Sequence, residues 1–267
     1  MEECVLQSFE QNREAWNTGT YEAWIQRFGQ PEEAAAKIKE TPAKRIGSVL
    51  EHMGELQGKR VINLMGSNGN KAVALALLGA RVTVADFSHE NEQYAIKLAA
   101  AAGVPLEYIV SDVLHLPESI YHDPFDIVFM EFGILHYFMD LSPLFHVVSR
   151  LLAPGGRLIL QDFHPISTKL ITSRGTTANI RKHKVTGDYF DTTLEEKDIS
   201  FYKFLPDEHK EPEIQKVLLR HWTLGEIVTA IAGSGLFIKQ LEELPNQSSE
   251  VFDKGIPKTF TLTAEKL

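Results

Sequence analysis

Cysteine is almost absent from this chain: Cys4 is the single one in 267 residues. One thiol cannot close an internal disulfide, and no Cys/His spacing resembles a zinc site. A reducing, cytoplasmic setting is expected, with no metal. Long apolar runs are missing too. The longest, AVALALLGA at 72–80, falls far short of the roughly 20 residues needed to cross a bilayer, so it reads as a buried helix and no membrane partner is expected. An excess of positive charge is also lacking. The 27 Lys and Arg against 36 Asp and Glu leave a net charge of -9, a field that repels polyanions and disfavours nucleic acid as a partner. The opening MEECVLQSFEQNREAW has acids where a secretory signal needs a basic start and an uninterrupted apolar stretch.

What is present is a regular alternation. From Arg60 onward short apolar runs take turns with helical stretches: RVINL, KAVALALLGA, RVTVAD, ENEQYAIKLAAAAG, LEYIVSD, FDIVFM, a helix around SPLFHVVSRLLAPGG, and GRLILQDF. Strand and helix alternating with short connections predict a parallel sheet covered on both faces. Gly79, Gly103 with Pro105, and Pro154-Gly155-Gly156 supply the helix stops. The expected fold is α/β and doubly wound (Rossmann-like), with a mostly parallel seven-stranded sheet whose last strand, KTFTLTAE, is antiparallel. Four regions follow: a helical N-terminal extension or lid at 1–57, a cofactor-binding core at 58–164, an inserted substrate cap at 165–220, and a completion of the core at 221–267. Within the cap, ISFYKF and QKVLLRHW are expected to pair, with the polar runs RKHK and LEEKD facing solvent. Replacing 172–215 by a short linker is expected to leave cofactor binding intact.

The first constellation with chemical content is INLMGSNGNKA at 62–72, a strand running into a small-residue loop and then a helix. Gly66 and Gly69 let the backbone approach a ligand, and the helix start presents unsatisfied N–H groups. Lys71 is followed by Ala72, so this is no phosphate-binding P-loop, and the third glycine of a dinucleotide fingerprint is missing. A plain βα turn is the alternative. About 20 residues on, Asp86 ends RVTVAD at a distance suited to a carboxylate that binds ribose hydroxyls; it, or Ser88 beyond it, reads equally as a helix N-cap. Asp112 in IVSDVLHLP stands past a third strand end, where it suits an adenine amino group while the Val113 N–H meets the ring. In open α/β sheets these strand ends converge on one crevice.

The order of these motifs resembles the class I S-adenosylmethionine-dependent methyltransferases. VINLMGSNG is similar to the family's glycine loop, VADFS to its ribose-binding acid, SDVLHLP to its adenine-binding acid, and FDIVFMEFGILHYF with LLAPGGRLILQDFHP to its fourth and fifth strands. The resemblance covers residues 58–164, and more loosely 220–265. It implies S-adenosyl-L-methionine as cofactor, with contacts from Asn63, Met65, Gly66, Ser67, Asn68, Gly69, Asp86, Phe87, Ser88, Asp112, Val113, Glu131, Phe132 and Gly133. One departure stands out: Asn63, Met65 and Ser67 occupy the places of the family's acid and first two glycines.

The Asn/Asp-Pro-Pro-aromatic motif of amino-methylating nucleic-acid and protein enzymes is replaced here by MEFGILHYF, and no Pro-Cys pair offers a cytosine-attacking thiol. A small-molecule acceptor is thus expected by elimination. Methyl transfer from a sulfonium needs proximity first and a base only when the acceptor arrives protonated. His164, His136 and Glu131 are the candidate bases, with Asp162 also in reach. Each histidine has a structural alternative, bonding backbone at a loop corner. Trp16, Tyr21 and Trp24 either close over the cofactor or acceptor or pin a helix to the core. The rival functions are a binding protein that keeps the cofactor pocket without transfer, and an NAD(P)-linked oxidoreductase.

Overall fold

The apolar strand runs and their local stop signals become a single central layer. The computed structural model describes residues 10–171, 173–174, 183–205, 215–245 and 255–267. Its strands are β1 Arg60–Leu64, β2 Arg81–Asp86, β3 Glu107–Val110, β4 Phe125–Glu131, β5 Leu152–Phe163, β6 Ser173–Arg174, β7 His183–Lys184, β8 Leu194–Asp198, β9 Lys216–Arg220, β10 Leu236–Leu244 and β11 Thr259–Lys266. Seven of them form one sheet in the order β10-β11-β5-β4-β1-β2-β3. β1 to β5 pair in parallel, whereas β11 runs antiparallel to both β5 and β10. The expected seven-stranded mixed sheet with an antiparallel last strand is therefore what forms.

Helices α1 Thr20–Phe28, α2 Pro31–Glu40, α3 Pro42–Ile46, α4 Leu50–Met53, α5 Asn70–Leu77, α6 His89–Ala102, α7 Ser142–Leu151 and α8 Leu224–Gly233 cover the layer, and residues 10–15 are helical as well. Successive strand residues alternate between its faces. Val61, Phe129 and Ile159 join a core with residues of α1, α2, α5 and α6, while Ile62, Val128 and Leu160 join a second core with residues of α7 and α8. Both faces being buried explains why these strands read as continuous apolar runs. Local chemistry sets the helix limits: Ser88 Oγ accepts from Asn91 N at 3.2 Å to begin α6, and Gly103, at φ 75°, ends it.

The structure departs from the sequence reading outside this layer. TYEAWIQRF forms α1 within the helical extension. Its start is satisfied from a distance, since the Glu90 carboxylate accepts from Gly19 N at 3.2 Å and Tyr21 N at 2.7 Å. ISFYKF is not a strand: Tyr202–Phe204 form a 3-10 turn. The partner of β9 is LEEKD, as β8. That polar run was expected to face solvent, and it does so while paired, held by backbone bonds and by Lys216 Nζ on Glu196 Oε2 at 2.9 Å. The RKHK run begins outside the described residues.

Ile199 and Phe201 are instead buried in the same core as α1, and the Phe201 ring lies 5.3 Å from that of Trp16 and 6.2 Å from that of Trp24. Burying each such side chain contributes about 1.5 to 3 kcal/mol. Part of the expected cap is thus packing for the N-terminal helices, so a 172–215 deletion would open that core rather than spare it. The extension is bound to the cap again through Asn12, whose side chain donates to Leu218 O at 3.2 Å and accepts from Leu218 N at 3.0 Å. Trp24 Nε1 donates to Asn91 Oδ1 at 2.8 Å, and the Tyr21 hydroxyl accepts from Lys97 Nζ at 2.9 Å. Both residues pin α1 onto α6. Among the described residues no helix is long and apolar enough to cross a membrane.

Candidate active site

The loop after β1 takes the backbone path that glycines would take, although two of its residues are not glycine. Met65 and Ser67 have φ of 52° and 49°, in the left-handed region. Each costs about 1 to 3 kcal/mol, so surrounding bonds must hold the path. They are present: Met65 N donates to Ala85 O at 2.6 Å, Ser67 N to Asp86 Oδ2 at 3.1 Å, and the Tyr108 hydroxyl to Ser67 O at 2.9 Å. Gly69, at φ 73°, is required as glycine, because a Cβ there would stand 2.6 Å from Ala95 Cβ. Asn68 Oδ1 accepts from Asn70 N at 3.1 Å and so begins α5. Asn63 lies beneath Gly66. Its Nδ2 donates to Phe129 O across β1 and β4 at 3.2 Å. Its buried Oδ1 has no hydrogen-bond partner among the described residues, an acceptor in want of a donor.

Asp86 is not at an open crevice. It is 6% exposed, and its carboxylate accepts from Ser88 N at 2.9 Å and Asn91 Nδ2 at 3.2 Å as well as from Ser67. Burial pushes its carboxyl above the ordinary range, against those three donors. Oδ2 carries one bond and retains acceptor capacity. Ser88 is the helix cap, and its hydroxyl also donates to Trp16 O at 2.7 Å. Asp112 caps its own turn through Leu114 N at 3.0 Å and meets His115 Nδ1 at 2.6 Å. Val113 packs into the core behind it. Phe87, Ser111 and Asp112 line a cavity of about 800 Å³ at the ends of β2 and β3, closed on the other side by Glu14 and Asn17 of the N-terminal extension.

The end of β4 carries the next group. Glu131 pairs with Lys71 Nζ at 3.1 Å; burial raises its carboxyl and the lysine charge opposes that. Phe132 has φ 43° and Gly133 φ 76°. The turn is fixed by Phe132 N on Gln161 O at 2.7 Å and by Asp162 Oδ1, which accepts from Gly133 N at 2.6 Å. Asp162 also accepts from Phe163 N at 2.7 Å. Burial raises its carboxyl against these backbone donors. Asp162 therefore works as an anchor for the loop.

The two histidines differ. His164 is 1% exposed, its Nε2 donating to Glu243 Oε1 at 2.6 Å and its Nδ1 accepting from Ile166 N at 3.1 Å. Nε2 ties the end of β5 to β10 and Nδ1 holds the turn that follows His164, which leaves neither ring nitrogen for a substrate. His136 hydrogen-bonds nothing among the described residues. Burial, then the nearby His221, push it down to about 3, so the ring is neutral at physiological pH. It faces a void of about 30 Å³ shared with Asp162, Phe163, Arg220 and His221.

The sequence reading did not include the Asn91 and Tyr108 bonds to the loop, the Trp16 Nε1 bond to the Tyr137 hydroxyl at 3.1 Å, or the His221–Glu195 pair at 2.7 Å. The serine-to-Asn91 spacing of a helix cap was the one local signal among them. The others join segments far apart in the chain.

Residues 65–160 match a family model described as a methyltransferase domain. The chain is 34% identical over 109 residues to a demethylmenaquinone methyltransferase of Thermus thermophilus, covering 40% of this chain and 48% of that protein. It is 29% identical over 121 residues to a ubiquinone biosynthesis O-methyltransferase of Klebsiella pneumoniae, covering 45% and 49%. The chain thus spans about half the length of these curated relatives. Among solved structures, an S-adenosylmethionine dependent methyltransferase from Mesorhizobium loti superposes with a TM-score of 0.60 at 25% identity, over 85% of this chain and 97% of that one. The strained loop that keeps the glycine path and the sheet with its antiparallel seventh strand agree with these matches: residues 65–160 are similar to a methyltransferase domain, and the fold is the one seen in S-adenosylmethionine-dependent methyltransferases.

Proposed function

We propose that this protein transfers a methyl group from S-adenosyl-L-methionine to a small-molecule acceptor. The observation that carries the reading is the cavity of about 800 Å³ beside Phe87 and Asp112, within the range of small-molecule sites and at the strand ends where such sheets bind ligands. The residues fit the cofactor's chemistry. Asp86 Oδ2 has capacity for a ribose hydroxyl, the Phe87 ring flanks the cavity that would take a base, and the unpartnered Asn63 Oδ1 suits an ammonium or a water bound to one. Asn63 and Gly66 replace charge attraction with a neutral acceptor and close approach. Bound there, the cofactor supplies a methyl group already activated on sulfur.

The remaining work is done by position. Asp162 fixes the Phe132–Gly133 turn, and the Trp16–Tyr137 hydrogen bond ties the extension to the segment after β4. Glu131, held by Lys71, is read as a charge that orients the loop and the cofactor more than as a base. His164 is read as structural. The domain division at 57, 164 and 220 is retained as a functional one, with the extension and cap as covers. A cytoplasmic location is retained with it.

An NAD(P)-linked reaction is disfavoured, because dinucleotide folds continue from the fifth to the sixth strand in parallel, whereas antiparallel β11 stands between β5 and β10 here. Calorimetric titration with S-adenosylmethionine, its demethylated product and NAD tests the reading. The first two are expected to bind and NAD to give no heat. NAD binding without response to the others would end it. Cofactor binding without turnover over a broad acceptor panel would favour the binding-only rival.

A further inference from the structure

Two phenylalanines stand exposed beyond the ends of neighbouring strands. Phe132 follows β4 and Phe163 ends β5, with 40% and 47% of their surface open, and their ring centroids are 5.3 Å apart. Apolar rings on the surface are ordinary singly, but these two form a pair, and Phe163 also lines the small void with His136 and His221. Phe132 also holds a φ of 43°, a conformation rare for a bulky residue and retained where surrounding structure enforces it. A methyl group at Gly133 would lie 3.3 Å from His136 Cε1 and 3.7 Å from Phe163 Cε2. The bare glycine thus keeps open a gap between the phenyl pair and the imidazole.

Across that gap stands the residue that follows β9. His221 Nε2 and Glu195 Oε2 are 2.7 Å apart, the arrangement in which a carboxylate fixes an imidazole's tautomer and orientation. The other ring nitrogen, Nδ1, has no hydrogen-bond partner among the described residues and is left for a substrate. His221 lines the same small void as His136 and Phe163, with the two imidazole centroids 6.5 Å apart.

The charges around His221 come from several elements. β8 supplies Glu195, bonded also to Lys197 Nζ at 2.8 Å, and β9 supplies Arg220, paired with Glu226 at 3.0 Å. Lys169 Nζ binds His221 O at 2.8 Å, Asp191 acts from the connecting segment, and Asp162 closes the void. Burial would raise the Glu195 carboxyl, yet its bonds to Lys197 and His221 hold it below the ordinary range. It therefore stays an anion beside the imidazole. His136, neutral down to about 3, is too weak a base for the task.

We propose that the acceptor is a planar aromatic compound bearing an ionisable hydroxyl, seated on the Phe132–Phe163 pair, and that His221, held by Glu195, takes its proton. The proposal rests on the methyltransferase reading. The hydroxyl O–H bond breaks and its proton goes to His221 Nδ1. An oxygen lone pair forms the bond to the methyl carbon while the carbon–sulfur bond breaks, its electron pair returning to sulfur. The sulfonium charge disappears as the imidazolium charge appears, and the imidazolium then yields its proton to water.

The test uses protein saturated with the demethylated cofactor product, so that no transfer occurs, with 4-nitrophenol as probe and cyclohexanol as its saturated comparison. 4-Nitrophenol is expected to bind at least about tenfold more tightly than cyclohexanol, and Phe163→Ala to remove about that preference while leaving affinity for the cofactor product unchanged. The phenolate absorbance of the bound probe should titrate about one pH unit lower than that of the free probe. That shift should vanish in His221→Asn and shrink in Glu195→Gln, with the probe still bound. Equal binding of cyclohexanol, no binding of 4-nitrophenol, or a phenolate titration unmoved by His221→Asn would each overturn the proposal. Failure of the parent to bind the cofactor product would instead overturn the methyltransferase reading beneath it.

Discussion

Replacing Asp86 by alanine should damage the fold as well as the cofactor site. The side chain is 6% exposed and accepts from Ser67 N, Ser88 N and Asn91 Nδ2 at 3.1, 2.9 and 3.2 Å. Alanine leaves all three donors without their acceptor. Each such loss in a buried place costs about 1 to 3 kcal/mol, partly offset because the variant no longer buries a carboxylate and because water can enter the space left. The net expected loss is about 2 to 4 kcal/mol. Ser67 is also released from the bond that holds its left-handed path, so cofactor affinity should fall further, by about 1.5 to 3 kcal/mol. Urea unfolding followed by circular dichroism gives the first quantity. Calorimetric titration under conditions where the variant is folded gives the second. A variant within 1 kcal/mol of the parent in stability would refute the account of Asp86 as the knot joining the glycine loop to α6.

Three other outcomes follow from the structure. Phe201→Ala should lower stability by about 3 to 5 kcal/mol in urea unfolding, since the ring is 1% exposed among Trp16 and Trp24; a loss under 1.5 kcal/mol would show that the cap and extension do not share a core. His136 is depressed in the folded state to about 3, so the unfolded chain binds more protons between about pH 6.5 and 3, and the stability the neutral ring contributes is lost as pH falls through that window. His136→Gln should flatten the stability profile there by up to about 5 kcal/mol, and an unchanged profile would contradict the burial of the ring. Asp112→Asn should blur discrimination between adenosine and inosine forms of the cofactor product, because an acceptor-only group becomes one that also donates; equal competition by the two forms on the parent protein would remove Asp112 from that role.

The α/β layer was written in local signals. Apolar runs such as RVINL and FDIVFM are buried on both faces wherever they sit in a parallel sheet, and their ends are set by neighbouring residues: Ser88 starts a helix and Gly103 stops one. Those are short-range effects, and they carried the strand count, the loop at 65–69 and the two acids at the strand ends. The departures from glycine at Met65 and Ser67 were visible, but not their consequence. Only the folded chain brings Asp86, Tyr108 and Ala85 to the loop and holds its left-handed path.

Beyond the layer, tertiary context decided the outcome. LEEKD carries no apolar alternation, so nothing local marks it as a strand; it pairs because β9 offers an edge. ISFYKF has the residues of a strand and spends them on a core shared with a helix from the opposite end of the chain. His136 and His164 stand in equally suggestive strand-end motifs, and only the arrival of Glu243 from β10 and the approach of His221 from β9 separate a structural histidine from one that faces a void. The sequence by itself determined which segments form the sheet, because secondary-structure period and caps depend on residues a few places apart. The tertiary structure alone decided which polar groups remain available for chemistry, because that depends on partners brought from dozens to hundreds of residues away.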